Sequence, residues 1–126
     1  HILCCTTRKC HNYPDSFTYK FIEIPDHPAV GIFFRFDEAY NFIREGVSKG
    51  GVYIHCHAGI SRSSTFVIAY LMREYRVRYS EALIFAGRKR SCVNPNEGFK
   101  LQLQYYDTTF DRDPGHEAEL AKPKLT

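Results

Sequence analysis

The sequence predicts an α/β fold built on a small, largely parallel sheet. Three observations predict it. Apolar runs of strand length lie at residues 1–6, 17–24 and 52–54. Segments with helical spacing lie between and after them. The third run stops at Cys56, and a tight loop, His57 to Ser61, then leads into the longest apolar segment. Strands alternating with helices stack into layers around a sheet. In such sheets ligands bind beyond the carboxyl ends of the strands, where Cys56 falls.

The elements follow in order. His1 to Thr6 reads as the end of a buried strand. Thr7 to Ser16 is polar and holds Asn12-Tyr-Pro-Asp15, a turn signal. Phe17 to Ile24 alternates as a strand does, with Phe17, Tyr19 and Phe21 on one side and Lys20, Ile22 and Ile24 on the other. Pro25 and Pro28 break regular structure, and Asp26 and His27 lie between them. Apolar residues at 32, 33, 36, 39, 40 and 43 predict a helix from Ile32 to Ser48. Gly50-Gly51 releases the chain into the Val52 strand. Ser63 to Tyr75 has little polar surface and should run through the middle of the domain. A shorter helix is expected from Ser80 to Arg90, ending in a solvated basic run, Arg88-Lys-Arg90. The last helix spans Pro95 to Phe110, with Phe99, Leu101, Leu103, Tyr105 and Tyr106 as its apolar positions.

Composition narrows the class. The 126 residues suffice for one domain with one core, and 44% hydrophobic content fits a globular chain. We expect residues 1–110 to be that domain and residues 111–126 a polar tail. No apolar run reaches membrane-span length. Nothing at the start resembles a signal peptide, and the first residue is His, as in a piece of a longer chain. The net charge of +3 is mild and the basic residues are scattered, which suits a phosphorylated partner rather than nucleic acid. Five cysteines show no paired spacing. Cys4 and Cys5 are adjacent strand residues on opposite faces, so a metal site with Cys10 and His11 is not expected. No cofactor is implied.

Chemistry concentrates at Cys56. The loop His57, Ala58, Gly59, Ile60, Ser61 is small and contains a glycine, so its N–H groups can curl around one centre. Such a nest binds an anion, and the following helix N-terminus adds to the field. Arg62 supplies a planar fork suited to phosphate. A thiol at the entrance of this cup should ionise readily. A thiolate facing an oxyanion-binding loop is a phosphoryl-transfer nucleophile. It also needs a reducing environment, so an intracellular location is expected.

His55-Cys56-His57-Ala58-Gly59-Ile60-Ser61-Arg62-Ser63 fits the His-Cys-five residues-Arg-Ser signature of cysteine-dependent protein phosphatases. The Ala-Gly-Ile-Ser-Arg-Ser spelling resembles the dual-specificity branch, and the resemblance runs from His1 to about Phe110. It implies a small sheet with helices on both faces. It also implies a strand pair and a helix ahead of His1 that this sequence lacks. The implied activity is removal of phosphate from phosphotyrosine and from phosphoserine or phosphothreonine in proteins, a phosphorylated kinase being one candidate substrate.

Further roles follow from both sources. The leaving oxygen needs a proton, and Asp26 lies 56 − 26 = 30 residues before the nucleophile, in a loop ahead of a helix. The resemblance places the general acid on this loop. Asp15, Asp37 and Glu23 are the other candidate acids. Ser63 can donate to the Cys56 sulfur, or simply sit in a helix's first turn. His55 should face away from the cup by strand alternation and orient the loop. Asn96 resembles the family asparagine that ties the loop backbone, and it equally suits a helix cap. A second thiol near Cys56 would give a redox partner; one of Cys4 and Cys5 qualifies, and the resemblance favours Cys4. Two other readings stay open: a phosphatase of a phosphoinositide, carbohydrate phosphate or RNA 5′-phosphate, and a non-catalytic phosphoresidue-binding module.

Overall fold

The computed structural model describes residues 1–7, 13, 15–57 and 59–110. Expectations that fall on residues 8–12, 14, 58 and 111–126, including Ala58 of the loop and the polar tail, lie outside the described residues.

Three short strands form one parallel sheet in the order β2-β1-β3: β1 (Ile2–Cys4), β2 (Tyr19–Phe21) and β3 (Tyr53–His55). Register pairs Leu3 with Lys20 on one side and with Ile54 on the other. Four helices follow or intervene: α1 (Phe36–Ser48), α2 (Arg62–Tyr75), α3 (Tyr79–Lys89) and α4 (Glu97–Thr108). The fold is the α/β arrangement expected, with narrower strands. The 17–24 run is strand only over its middle three residues, yet its alternation holds, since Ile22 and Ile24 are buried and Phe17 is exposed.

The segment read as one helix from Ile32 divides in two. Ile32–Arg35 is a 3₁₀ turn, and the α-helix begins at Phe36. The side chain of Gln102 explains the break. Its Oε1 accepts from Phe33 N at 2.9 Å and its Nε2 donates to Val30 O at 2.8 Å, so α4 satisfies this backbone in place of a helical ladder.

Strand alternation sends Leu3, Cys5, Ile22 and Ile54 to one face, where the helices gather. There α2 packs against α1, α3, α4 and β3, the central position its apolar sequence predicts. Phe36, Phe66 and Phe99 are fully buried in this layer. The Phe36 ring meets Phe66 at 6.1 Å and Tyr106 at 4.8 Å between centroids. Each such ring contributes about 1.5–3 kcal/mol by leaving water. On α4 only Phe99, Leu103 and Tyr106 of the expected apolar positions are buried; Leu101 and Tyr105 face solvent.

Candidate active site

Cys56 stands at the end of β3, one residue past the last strand position. Gly59 adopts φ +70°, a left-handed turn that favours glycine. This turn aims its N–H back at Cys56 Sγ, with N···S 3.2 Å. Ser63, in the first turn of α2, places Oγ 3.2 Å from the same sulfur. Half-burial alone would push the Cys56 thiol up. Hydrogen bonds from the Ser63 side chain and backbone and from Gly59, with the Arg62 charge, outweigh it and hold the pKa below the ordinary thiol value.

Arg62 opens α2 beside the cup. One terminal guanidinium nitrogen donates to Ile24 O at 3.1 Å, just ahead of the Asp26 loop. Its Nε is buried with no hydrogen-bond partner among the described residues. The loop residues diverge. His57 is exposed and Ile60 is 41% exposed at the rim, while Ser61 is buried.

Ser61 Oγ turns away from the cup and accepts from Asn96 N at 2.9 Å. The Asn96 side chain then makes two further bonds. Its Oδ1 accepts from Phe99 N at 2.9 Å, the N-cap of α4, and its Nδ2 donates to Asp26 Oδ1 at 3.0 Å. Of the two alternatives in the sequence, the helix cap is seen; the bonds of Asn96 to the two loops go to the Ser61 and Asp26 side chains, and the loop backbone is held by Asn94 N, which donates to Ile60 O. Asp26 is thereby joined to the Cys56 loop through a single asparagine. Asp37, another carboxylate of the sequence reading, pairs instead with Arg73 at 2.6 Å. Asp15 and Glu23 are exposed.

His55 lies two residues from Tyr53 on the same strand face, and the two rings stack at 5.3 Å and 17°. Burial lowers its pKa. The preference for Cys4 over Cys5 beside the nucleophile is corrected. Cys4 pairs with His55 in register, so Cys5 falls opposite Cys56, and partners in a parallel pair share a face. Cys5 Sγ donates to His55 O at 3.1 Å. Burial first, then the neighbouring Cys56, pushes the Cys5 thiol up. Cys4 Sγ lies 3.7 Å from Thr6 Oγ1. The basic run is also not simply solvated: the Arg90 guanidinium leans over the loop, 2.8 Å from where a Cβ on Gly59 would stand.

Several supports escaped the sequence reading. Ser64 Oγ donates to Gly59 O at 3.3 Å and Thr65 Oγ1 to Ser61 O at 2.6 Å, both from buried positions. Asn94 N donates to Ile60 O at 2.8 Å. The signal was the run Ser63-Ser-Thr65 at the mouth of an otherwise apolar helix, where hydroxyls need backbone partners.

Comparison with known proteins places this geometry. The chain is 40% identical over 108 residues to the dual specificity protein phosphatase 1B of Arabidopsis thaliana, covering 85% of this chain and 65% of that protein. It is 45% identical over 95 residues to a probable rhodanese domain-containing dual specificity protein phosphatase of Dictyostelium discoideum, of which it covers 20%. It is 39% identical over 100 residues to the human serine/threonine/tyrosine-interacting protein, covering 79% of this chain and 45% of that protein. The chain thus spans less than two thirds of these relatives. Among solved structures, a human tyrosine phosphatase-like serine/threonine/tyrosine-interacting protein superposes with a TM-score of 0.82 at 36% identity, covering 86% of this chain and 76% of the other. DUSP15 superposes with a TM-score of 0.77 at 30% identity, covering 94% and 76%. The model for the catalytic domain of dual specificity phosphatases matches residues 1–109, and the chain belongs to that family.

Proposed function

We propose that this chain hydrolyses phosphotyrosine and phosphoserine or phosphothreonine in proteins, with Cys56 as nucleophile. The observation that carries the reading is the sulfur's surroundings: a hydroxyl and a backbone N–H, each 3.2 Å away, with a guanidinium alongside. These groups favour a thiolate.

In the proposed reaction the loop N–H groups and Arg62 hold the non-bridging oxygens of the phosphoryl group, and the unpartnered Arg62 Nε is a donor suited to them. The Cys56 thiolate attacks phosphorus in line. An S–P bond forms, the P–O ester bond breaks, and Asp26 gives its proton to the leaving oxygen. Water then attacks phosphorus while the Asp26 carboxylate takes a proton from that water. The S–P bond breaks, Ser63 Oγ–H supports the departing thiolate, and inorganic phosphate leaves. The transition state is loose, so positioning outweighs bond making. His57 and Ile60 are exposed at the rim among the described residues; a shallow cup there would admit short phosphoserine and phosphothreonine side chains as well as phosphotyrosine. A phosphorylated protein, with a phosphorylated kinase as one candidate, is the substrate class.

A panel tests this reading. Phosphotyrosyl, phosphoseryl and phosphothreonyl peptides should all release phosphate, and faster than a phosphoinositide, a sugar phosphate or an RNA 5′-phosphate. Strict phosphotyrosine preference would refute the dual specificity. Faster turnover of a non-protein phosphomonoester would reassign the substrate. Binding of phosphopeptides with no release would reassign the chain to recognition.

A further inference from the structure

Phe34, Leu101 and Tyr105 are 83%, 66% and 61% exposed. They are large apolar side chains outside the catalytic cup, and they are not scattered. With 100° per residue, Gly98, Leu101, Gln102 and Tyr105 share one side of α4. The segment that carries Asp26 lies along that side. The Pro28 carbonyl sits against Gly98, where a Cβ would collide with it. Gln102 holds Val30 and Phe33, and the Phe33 ring meets Tyr105 at 5.3 Å. The Phe34 ring packs on Phe33 at 5.5 Å and folds back over Gly31.

The strip therefore begins beside the acid loop and leads away from it. Asn96, which holds Asp26, caps the same helix. Leu101 is five residues further along α4 and Tyr105 nine, or about 8 Å and about 14 Å of helix. An extended peptide advances roughly 3.3 Å per residue. Asn96 itself stands outside the cup, joined to it through Ser61, so a chain with its phosphoresidue in the cup would bring residues from the third position outward over these side chains. Contiguous exposed apolar side chains at the edge of a site mark interaction surfaces.

We propose that Phe34, Leu101 and Tyr105 form a docking strip for the substrate polypeptide, taking apolar side chains from the third residue outward from the phosphoresidue. This rests on the phosphatase reading and narrows its substrate class. Two charged side chains on these segments are held in ion pairs, Arg35 with Glu38 and Lys100 with Glu97. The strip therefore selects by apolar contact rather than by charge.

The test compares two phosphotyrosyl peptides, one with Leu at those positions and one with Ser, against wild type and the triple variant Phe34→Ser, Leu101→Ser, Tyr105→Ser. The affinity of each peptide is read by fluorescence anisotropy with Cys56→Ser added to both chains, and kcat/KM is read without it, beside turnover of a small aryl phosphate. Wild type should favour the Leu peptide about tenfold in both readings. The triple variant should lose that preference and keep its aryl phosphate rate. No preference in wild type, or a preference the variant retains, would overturn the strip. Light scattering that finds a wild-type dimer turned monomeric by the three substitutions would give the face to a second copy and also overturn it. Loss of aryl phosphate turnover in wild type would sink the phosphatase reading alone, because the affinities still report on the strip.

Discussion

Asn96 Nδ2 donates a hydrogen bond to Asp26 Oδ1 at 3.0 Å, joining residues 70 apart in sequence. The same asparagine receives Phe99 N and hands its own N–H to Ser61. The two loops that act on one phosphate in the proposed reaction are thus indexed to one helix cap.

Asp26→Asn should lower kcat by about 10²–10⁴-fold for alkyl phosphates, whose leaving oxygen needs a proton. An aryl phosphate with a good leaving group should lose far less. Loss that is equal across leaving groups would remove Asp26 from the role. Asn96→Ala should weaken α4 by about 1 kcal/mol and reduce the rate as well, because the acid loop loses its anchor. Thermal unfolding and turnover measured on one preparation separate the two effects.

Gly98→Ala should damage the same loop from behind. Its Cβ would meet the Pro28 carbonyl, two residues after Asp26. Overpacking of this kind costs about 1–3 kcal/mol, or displaces the backbone that carries the acid. The expected outcome is a lower Tm with a rate loss that, like that of Asp26→Asn, is larger for poor leaving groups. A rate loss independent of leaving group would place the damage elsewhere.

Ser63→Ala should move the acidic limb of the pH–rate profile upward. Ser63 lowers the Cys56 pKa through its hydroxyl, so the thiolate persists to lower pH in wild type. Without that bond the sulfur holds its proton to higher pH, and activity falls first at the acidic end. Thiolate absorbance followed against pH reads the shift directly. An unmoved limb would assign the stabilisation to the backbone donors.

Much of this was legible in the sequence, for identifiable reasons. The helix α2 and the cup at its mouth rest on local spacing, from Cys56 to Ser63, which chain order fixes. The irregular loop around Asp26 was legible because Pro25 and Pro28 break regular structure on either side of it. The 3₁₀ start at Ile32 was not, because it depends on Gln102 from a helix 70 residues away. Leu101 and Tyr105 stand among the apolar positions of α4 yet are exposed, because apolar composition does not reveal which side of a helix has a neighbour. Cys4 and Cys5 could not be told apart without the register that sets β1 against β3.

That register carries its own prediction. Neighbouring parallel strands place facing Cα atoms about 5 Å apart, within the reach of a disulfide. Peroxide should oxidise the Cys56 thiolate to sulfenic acid. The Cys5 thiol then attacks that sulfur, an S–S bond forms and water leaves. Peptide mapping should find Cys5–Cys56, with activity restored by a thiol reductant. Cys5→Ala should divert Cys56 to sulfinic acid. A Cys4–Cys56 crosslink, or sulfinic acid in wild type with no crosslink, would contradict it.

The most direct measurement is acid-quenched trapping of the enzyme during turnover of a phosphopeptide, followed by mass spectrometry of the Cys56 peptide. The account predicts a phosphate adduct on Cys56 in wild type. In Cys56→Ser it predicts no cysteinyl adduct, a fall in turnover of about three orders of magnitude or more, and retained phosphopeptide binding. Substantial turnover by Cys56→Ser, or phosphate trapped on another residue, would contradict it.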